Sequence, residues 1–365
     1  MKRLLISLLL FIAACAPRGE ITLITQPIQN GFLQQIYVAT SREPINEPRR
    51  FSQFRSETVH FSRYDVSVPQ MHSPGKIEWP KSTPNPLTDF ITTQIANFTT
   101  AAGMIADTKK QPTKNPDEAV VFIHGYNNNF AEGIYRFAQM SKDLELEGTK
   151  YHYSWPSAGD ARGYIYDRDS VLFARDGLET FLNDIAKTGA KDIFIVAHSI
   201  GSALTVETLR QMSIAGDATL KNKLRGVVLI SPDIDVDVFV TQLSRINPLP
   251  QPFLIFASRK DLALRISSLL TGTRNRVGLL DNETKLARFK IDLIDVTNIN
   301  DGGDMLNHSV AATSPTLLKL LGNTQRMREV FDPTREARKG ANVVSLIIQT
   351  ANDATQIIVN PLNAN

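Results

Sequence analysis

Nine residues, Ile193-Phe194-Ile195-Val196-Ala197-His198-Ser199-Ile200-Gly201, limit what this chain can fold into more than any other stretch. The first four are apolar and three of them β-branched, the composition of a buried strand, and the spacing over residues 202–212 predicts a helix directly after it. A strand that turns at once into a helix needs small residues beside the turn, because the backbone doubles back tightly. Ala197 and Gly201 meet that need. Such a turn lifts Ser199 above the strand end with its hydroxyl exposed, and the first N–H groups of the helix aim at the reacting centre. This is the pattern of a nucleophile elbow, with Ala197 where G-x-S-x-G has its first glycine.

The rest of the chain repeats the alternation of strand and helix. A first strand is expected over 32–40, another near 64–68, and a Pro-punctuated loop over 69–86, so that 41–116 reads as the irregular edge of a sheet. Ala119-Val120-Val121-Phe122-Ile123 is an apolar run of buried-strand type that ends at His124-Gly125-Tyr126-Asn127-Asn128-Asn129. Helical spacing follows over 130–147, a strand over 151–155 and a long amphipathic helix over 164–187. Beyond the elbow come segments at 227–230, 236–243, 253–257, 262–270 and 289–294. Alternation of this kind implies a doubly wound α/β domain, a mostly parallel sheet with crossover helices on both faces. Ligands of such sheets bind beyond the carboxyl ends of the strands, where His124, Ser199, Asp233 and Asp261 would fall.

A serine hydroxyl is a weak nucleophile until a histidine removes its proton, and the histidine needs a carboxylate to fix its tautomer. Behind an elbow of this type the chain order is serine, then acid, then histidine. Of six histidines, at 60, 72, 124, 152, 198 and 308, only His308 follows Ser199, which makes it the candidate base. His198 is not a rival, since side chains adjacent on the elbow diverge; it is expected to pack or hydrogen-bond near the sheet end. For the acid, Asp261 follows the 253–257 strand across a short loop and is favoured over Asp233, which follows the preceding strand. Asp304 is near His308 in sequence but reads equally as a turn former. Two backbone N–H groups, those of Tyr126 and Ile200, are the expected oxyanion donors. Asn127, Asn128 and Asn129 either shape that loop or merely make a turn. The segment Ser154-Trp155-Pro156-Ser157-Ala158-Gly159, with Tyr164, Tyr166 and Asp167, is a candidate pocket lining, although core packing accounts equally well for Trp155.

The ends of the chain carry different signals. Met1-Lys2-Arg3, an apolar run over 4–12 and Ile12-Ala13-Ala14-Cys15 read as a signal peptide, too short in its apolar part to span a bilayer comfortably. The small residues before cysteine resemble the lipobox of bacterial lipoproteins, which implies cleavage before Cys15 and a lipid anchor on it. Cys15 is the only cysteine, so it has no disulfide partner within the chain. Ala16 after it resembles lipoproteins sorted to the outer membrane. The expected organisation is a signal peptide over 1–14, a tether over 15–31, one domain over 32–325 and a tail over 326–365. That tail holds apolar clusters at 343–348 and 357–359 and is expected to dock on the domain. A formal charge of +3, near neutral once Lys2 and Arg3 are removed, gives no reason to expect a nucleic-acid partner.

Taken together, the motifs resemble a bacterial α/β-hydrolase family of unknown function, labelled esterase or lipase superfamily. The resemblance rests on Phe122-Ile123-His124-Gly125-Tyr126-Asn127-Asn128, the 154–159 segment, Tyr166-Asp167-Arg168-Asp169-Ser170, Ala197-His198-Ser199-Ile200-Gly201, Pro232-Asp233-Ile234-Asp235 and Ser258-Arg259-Lys260-Asp261. It covers about residues 33–322, and the Ala197 form of the elbow belongs to the family pattern. Ile200 and Ser202 stand where the family commonly has Met and Asn. The resemblance implies the α/β-hydrolase fold and a Ser199-His308-Asp261 triad. The expected function is hydrolysis of carboxylic esters, small-molecule or lipid, at the bacterial cell envelope, on an outer membrane facing the periplasm, with no metal or organic cofactor. Acyl transfer or amide hydrolysis would use the same residues, and a non-catalytic envelope scaffold is the reading from another class.

Overall fold

Buried strands and two-sided helix cover organise the chain, as the alternation predicts. A computed structural model describes residues 18–25, 31–45, 51–81, 83–216, 218–273, 275–280, 283–302 and 306–321. The expected signal peptide, Cys15, Asp304 and the 326–365 tail lie outside the described residues.

Nine strands form one sheet: β1 (Phe32–Pro44), β2 (Phe51–Val68), β3 (Ile91–Phe98), β4 (Glu118–Ile123), β5 (Thr149–Ser154), β6 (Asp192–His198), β7 (Leu224–Ile230), β8 (Phe253–Ala257) and β9 (Asp292–Asp295). Their order across the sheet is β3-β2-β1-β5-β4-β6-β7-β8-β9. From β1 to β9 neighbouring strands are parallel, and β1, β2 and β3 pair antiparallel at one edge. That edge is more regular than the sequence suggests. Residues 41–116 supply the 18-residue β2, all of β3 and the helix α1 (Ala101–Thr108). The polar outer half of β2 hides the strand pattern, because its side chains stand half-exposed and only residues from Tyr64 onward read as core. Likewise β9 covers only part of the strand expected over 289–294.

The helices α2 (Phe130–Asp143), α3 (Tyr164–Ala186), α4 (Ile200–Ala215), α5 (Val236–Leu243), α6 (Leu262–Thr271) and α7 (Pro315–Leu321) follow their strands. Two cores result. Leu178, Phe181 and Leu182 of α3 and Leu204 and Val206 of α4 pack on one face with Val121, Ile193 and Ile195. On the other face Ile134, Phe137 and Ala138 of α2 pack with Val120, Phe122 and Leu317. The chain leaves β4 toward β5 across one face and crosses back to β6 across the other. The direction of winding therefore reverses at the carboxyl ends of β4 and β6, where open α/β sheets form their ligand crevice.

Candidate active site

Ser199 sits at that reversal. It follows β6 with φ 54° and ψ −128°, a left-handed conformation costing a non-glycine residue about 1–3 kcal/mol, held here by surrounding bonds. The Ser199 N–H donates to Ile230 O (2.9 Å), and the Ser199 carbonyl accepts from the N–H groups of Ser202 (3.0 Å) and Asp233 (3.2 Å). Gly201 is required on contact grounds: a Cβ there would lie 2.2 Å from His124 O. Gly125 is similarly constrained, since its Cβ would stand 2.9 Å from Ser199 Cβ and 2.7 Å from His198 Nδ1. These contacts bring the His124-Gly125-Tyr126 turn directly over the serine. As a result Ser199 is 1% exposed, which corrects the expectation of an exposed hydroxyl. The turn that raises the serine also meets a second turn packed on it.

Asp261 and His308 come together. Asp261 is wholly buried and caps α6, its Oδ1 accepting from Leu264 N–H (3.0 Å) while Oδ2 lies 2.7 Å from His308 Nδ1. An ionised carboxylate can only accept, so Nδ1 carries the proton and the lone pair is on Nε2. That is the tautomer a general base needs. His198, the neighbour of Ser199, places the loop: its Nε2 lies 3.1 Å from the His308 carbonyl, and the two rings are 4.8 Å apart. The anticipated hydrogen-bonding role of His198 thus has a specific partner.

Asp233 is differently employed. Its Oδ2 accepts from Tyr164 OH (2.8 Å), its Oδ1 accepts from Ser267 Oγ (2.8 Å), and buried Arg276 Nε lies 3.2 Å from Oδ1. This network joins the start of α3 to α6, with the Asp233 main chain bonded to the elbow.

Ile200 is the first residue of α4, and Tyr126 follows Gly125 on the turn packed against the serine. Among the described residues neither N–H has a hydrogen-bond acceptor within the protein. The first N–H groups of a helix have none inside it.

The three asparagines have separate tasks. Asn127 adopts φ 56°, Asn128 Nδ2 donates to the carbonyls of Tyr126 (2.8 Å) and Gly125 (3.3 Å), and Asn129 caps α2 in a capping box with Glu132. Behind them, Asp167 accepts from Ser157 Oγ (2.7 Å), Ala158 N–H (2.6 Å) and Asn127 N–H (3.3 Å). Burial raises the Asp167 carboxyl above its ordinary range. Ser157 Oγ in turn lies 3.3 Å from the Asn128 N–H that donates to it. The 154–159 segment and Asp167 therefore buttress the turn through these bonds. Trp155 is core: its ring stacks on His124 at 4.8 Å and its Nε1 donates to His124 O (2.8 Å). Tyr166 lies farther out, donating to Gln53 O (2.8 Å).

Sequence reasoning missed Arg42. A register shift in the β1–β2 pairing between Thr40 and Arg42 turns this residue inward, the usual effect of a bulge. Wholly buried, Arg42 donates to Ser154 Oγ (3.0 Å), Ser157 O (3.0 Å), Ser52 O (3.3 Å) and Asn128 O (2.9 Å). Burial lowers its guanidinium to about 10, still charged at neutral pH. The available signal was an arginine three residues beyond the apolar run Ile36-Tyr37-Val38-Ala39, after Thr40 and Ser41. His124 and His152 are also not bases. Burial, aided by the Arg42 charge, pushes His124 well below its ordinary value and His152 down to about 3.

The family described as "Alpha/beta hydrolase of unknown function (DUF900)" matches residues 100–324, more than half of the chain. No curated protein matches. Among solved structures, esterase B from Lactobacillus rhamnosis is 12% identical with a TM-score of 0.37, covering 72% of this chain and 87% of its own. A dienelactone hydrolase from Anabaena variabilis is 9% identical with a TM-score of 0.38, covering 75% of this chain and 94% of its own. Esterase 2 from Thermogutta terrifontis is 11% identical with a TM-score of 0.37, covering 82% and 99%. These likenesses are too distant to carry an argument, and the assignment rests on the family match together with the nine-stranded, mostly parallel sheet. The chain belongs to the alpha/beta hydrolase family of unknown function.

Proposed function

We propose that this hydrolase cleaves carboxylic esters through an acyl-enzyme on Ser199. The observation that carries the reading is the buried 2.7 Å contact of Asp261 with His308 Nδ1, on a loop joined to the elbow through His198. His308 Nε2 takes the Ser199 proton as Oγ attacks the ester carbonyl carbon. The carbonyl oxygen becomes an oxyanion that the N–H groups of Tyr126 and Ile200 hold. Collapse breaks the bond to the leaving alkoxide, which receives the proton from His308. Water then attacks the acyl-serine with His308 again as base, releasing the carboxylic acid and restoring the hydroxyl. An alkoxide leaves more readily than an amine, which favours esters over amides.

The enzyme is proposed to work at the cell envelope, held by a lipid on Cys15; Cys15→Ser should shift it out of the membrane fraction. Reaction of the folded protein with a fluorophosphonate probe tests the chemistry. Labelling should vanish in Ser199→Ala and drop steeply in His308→Ala, and turnover of p-nitrophenyl esters should follow the same order. A folded wild-type protein that neither labels nor turns over these esters would overturn the reading and leave a binding lipoprotein in its place.

A further inference from the structure

Helix α6 is amphipathic in the wrong direction for a helix facing water. Its apolar residues Leu262, Ile266, Leu269 and Leu270 recur at i, i+4, i+7 and i+8, one face of a helix, and all four are exposed, Leu269 by 82%. The opposite face, turned to the protein, buries only Leu264 with Ser267 and Ser268. Helices on a soluble surface normally bury the apolar stripe and expose the serines. Leu306, also exposed, adjoins this face through its carbonyl, which accepts from Leu262 N–H (2.8 Å).

Within residues 258–272 the exposed charge is cationic, with Arg259 paired to Asp295 (2.8 Å) and Lys260 and Arg265 as the remaining cations. Arg259, Lys260 and Arg265 are exposed, and the one carboxylate between residues 258 and 272, Asp261, is wholly buried. The guanidinium of Arg265 folds back onto Arg259 O (2.7 Å), which keeps both cations at the start of the helix. Nor does the stripe contain an aromatic residue, whereas protein-binding hot spots favour Trp, Tyr and Arg over Leu. A contiguous aliphatic face with a cationic rim matches what an amphipathic helix offers to a bilayer interface.

We propose that the outer face of α6, with Leu306 beside it, seats on an anionic lipid surface, its leucines among the acyl chains and Lys260 and Arg265 at the phosphates. The seating concerns only this surface. A consequence rests on the proposed function: because α6 begins at Asp261 and adjoins the loop carrying His308, the seated protein would turn its catalytic residues toward lipid-borne esters.

Brominated phospholipids provide a local test in the full chain, independent of any anchor at the N-terminus. Leu269→Trp is mixed with vesicles of equimolar phosphatidylcholine and phosphatidylglycerol carrying brominated acyl chains, and wild-type fluorescence is subtracted. Ile214→Trp, exposed at the far end of α4, is the control. The expected result is a blue shift and at least a halving of Leu269→Trp emission with no change for Ile214→Trp. Adding Lys260→Gln should raise the lipid concentration for half-quenching roughly fivefold, the share of one basic residue near an anionic surface. The proposal is overturned if Leu269→Trp stays unquenched, whether or not the protein sediments with the vesicles. A blue shift already present without lipid would equally overturn it, showing that another part of the chain or a second copy covers the stripe. Fluorophosphonate labelling of Ser199 in the same samples reports on the hydrolase reading separately.

Discussion

Replacing Asp261 by Asn tests the acid assignment with little change in shape. The carboxylate has two tasks, Oδ1 capping Leu264 N–H at 3.0 Å and Oδ2 meeting His308 Nδ1 at 2.7 Å. Asparagine keeps the first, being as good an N-cap as aspartate. It inverts the second: an amide NH2 directed at Nδ1 makes that nitrogen the acceptor and moves the proton to Nε2, where the base needs its lone pair. The equivalent change in a serine protease triad costs about 10⁴ in turnover. We expect kcat for a p-nitrophenyl ester to fall roughly 10³–10⁴-fold, about 4–5.5 kcal/mol of barrier. KM and the urea midpoint should change little. Asp233→Asn should do the reverse. It removes the charge facing buried Arg276 and weakens the bonds from Tyr164 and Ser267, for a loss of roughly 3 kcal/mol in stability, while the folded fraction keeps most of its kcat. The reasoning is refuted if folded Asp261→Asn works within about tenfold of wild type while Asp233→Asn loses 10³-fold, figures set against the triad precedent.

Two further outcomes are expected. Arg42→Met removes the donor to three carbonyls, the buried one of Ser157 and the partly buried ones of Ser52 and Asn128. Urea unfolding should show a loss of roughly 3 kcal/mol, and kcat should fall on the order of tenfold to a hundredfold with KM nearly constant, because the displaced Tyr126 turn matters most in the transition state. The second outcome concerns pH. His152 titrates near 6.5 when unfolded but only at about 3 in the fold, so below pH 6.5 the unfolded chain holds a proton that the folded one lacks. Its contribution is complete above that pH and is lost as pH falls, at about 1.4 kcal/mol per unit. His152→Leu should flatten the decline of thermal stability between pH 6.5 and 5, the range the unfolded value sets. His72 has the opposite sign. Held by Glu78 (2.8 Å) and Asp143 (2.9 Å), it titrates above its ordinary value, stabilises the acid side and loses that effect as pH rises through its raised value. His72→Gln should therefore cost more stability at acid than at alkaline pH.

Much of the site was legible because each signal is local. The strand, Ser199 and helix of the elbow lie within about two dozen consecutive residues, and Gly201 and Gly125 are small because backbone carbonyl and serine atoms stand where a Cβ would be. Strands β4, β6 and β8 are apolar runs because both faces are covered. His308 was found by chain order, an argument needing no distances.

What the sequence left open depends on which groups meet across the fold. Asp233 and Asp261 both follow parallel strands, and nothing local distinguishes them. Only tertiary structure brings Tyr164, Ser267 and Arg276 to one and His308 to the other. Arg42 lies 86 residues from Asn128, whose carbonyl it supports, and the intervening chain carries no trace of the bond. The outward stripe of α6 has the same origin. Its helical spacing is plain in the sequence, but periodicity does not say which side faces the protein. The sequence alone determined the central strands and helices and the tight turn at Ser199, because backbone sterics and apolar periodicity act over a few residues. Tertiary packing decided the acid's partner, the buried arginine buttress and the exposed face of α6, because hydrogen bonds and burial join residues that the chain keeps far apart.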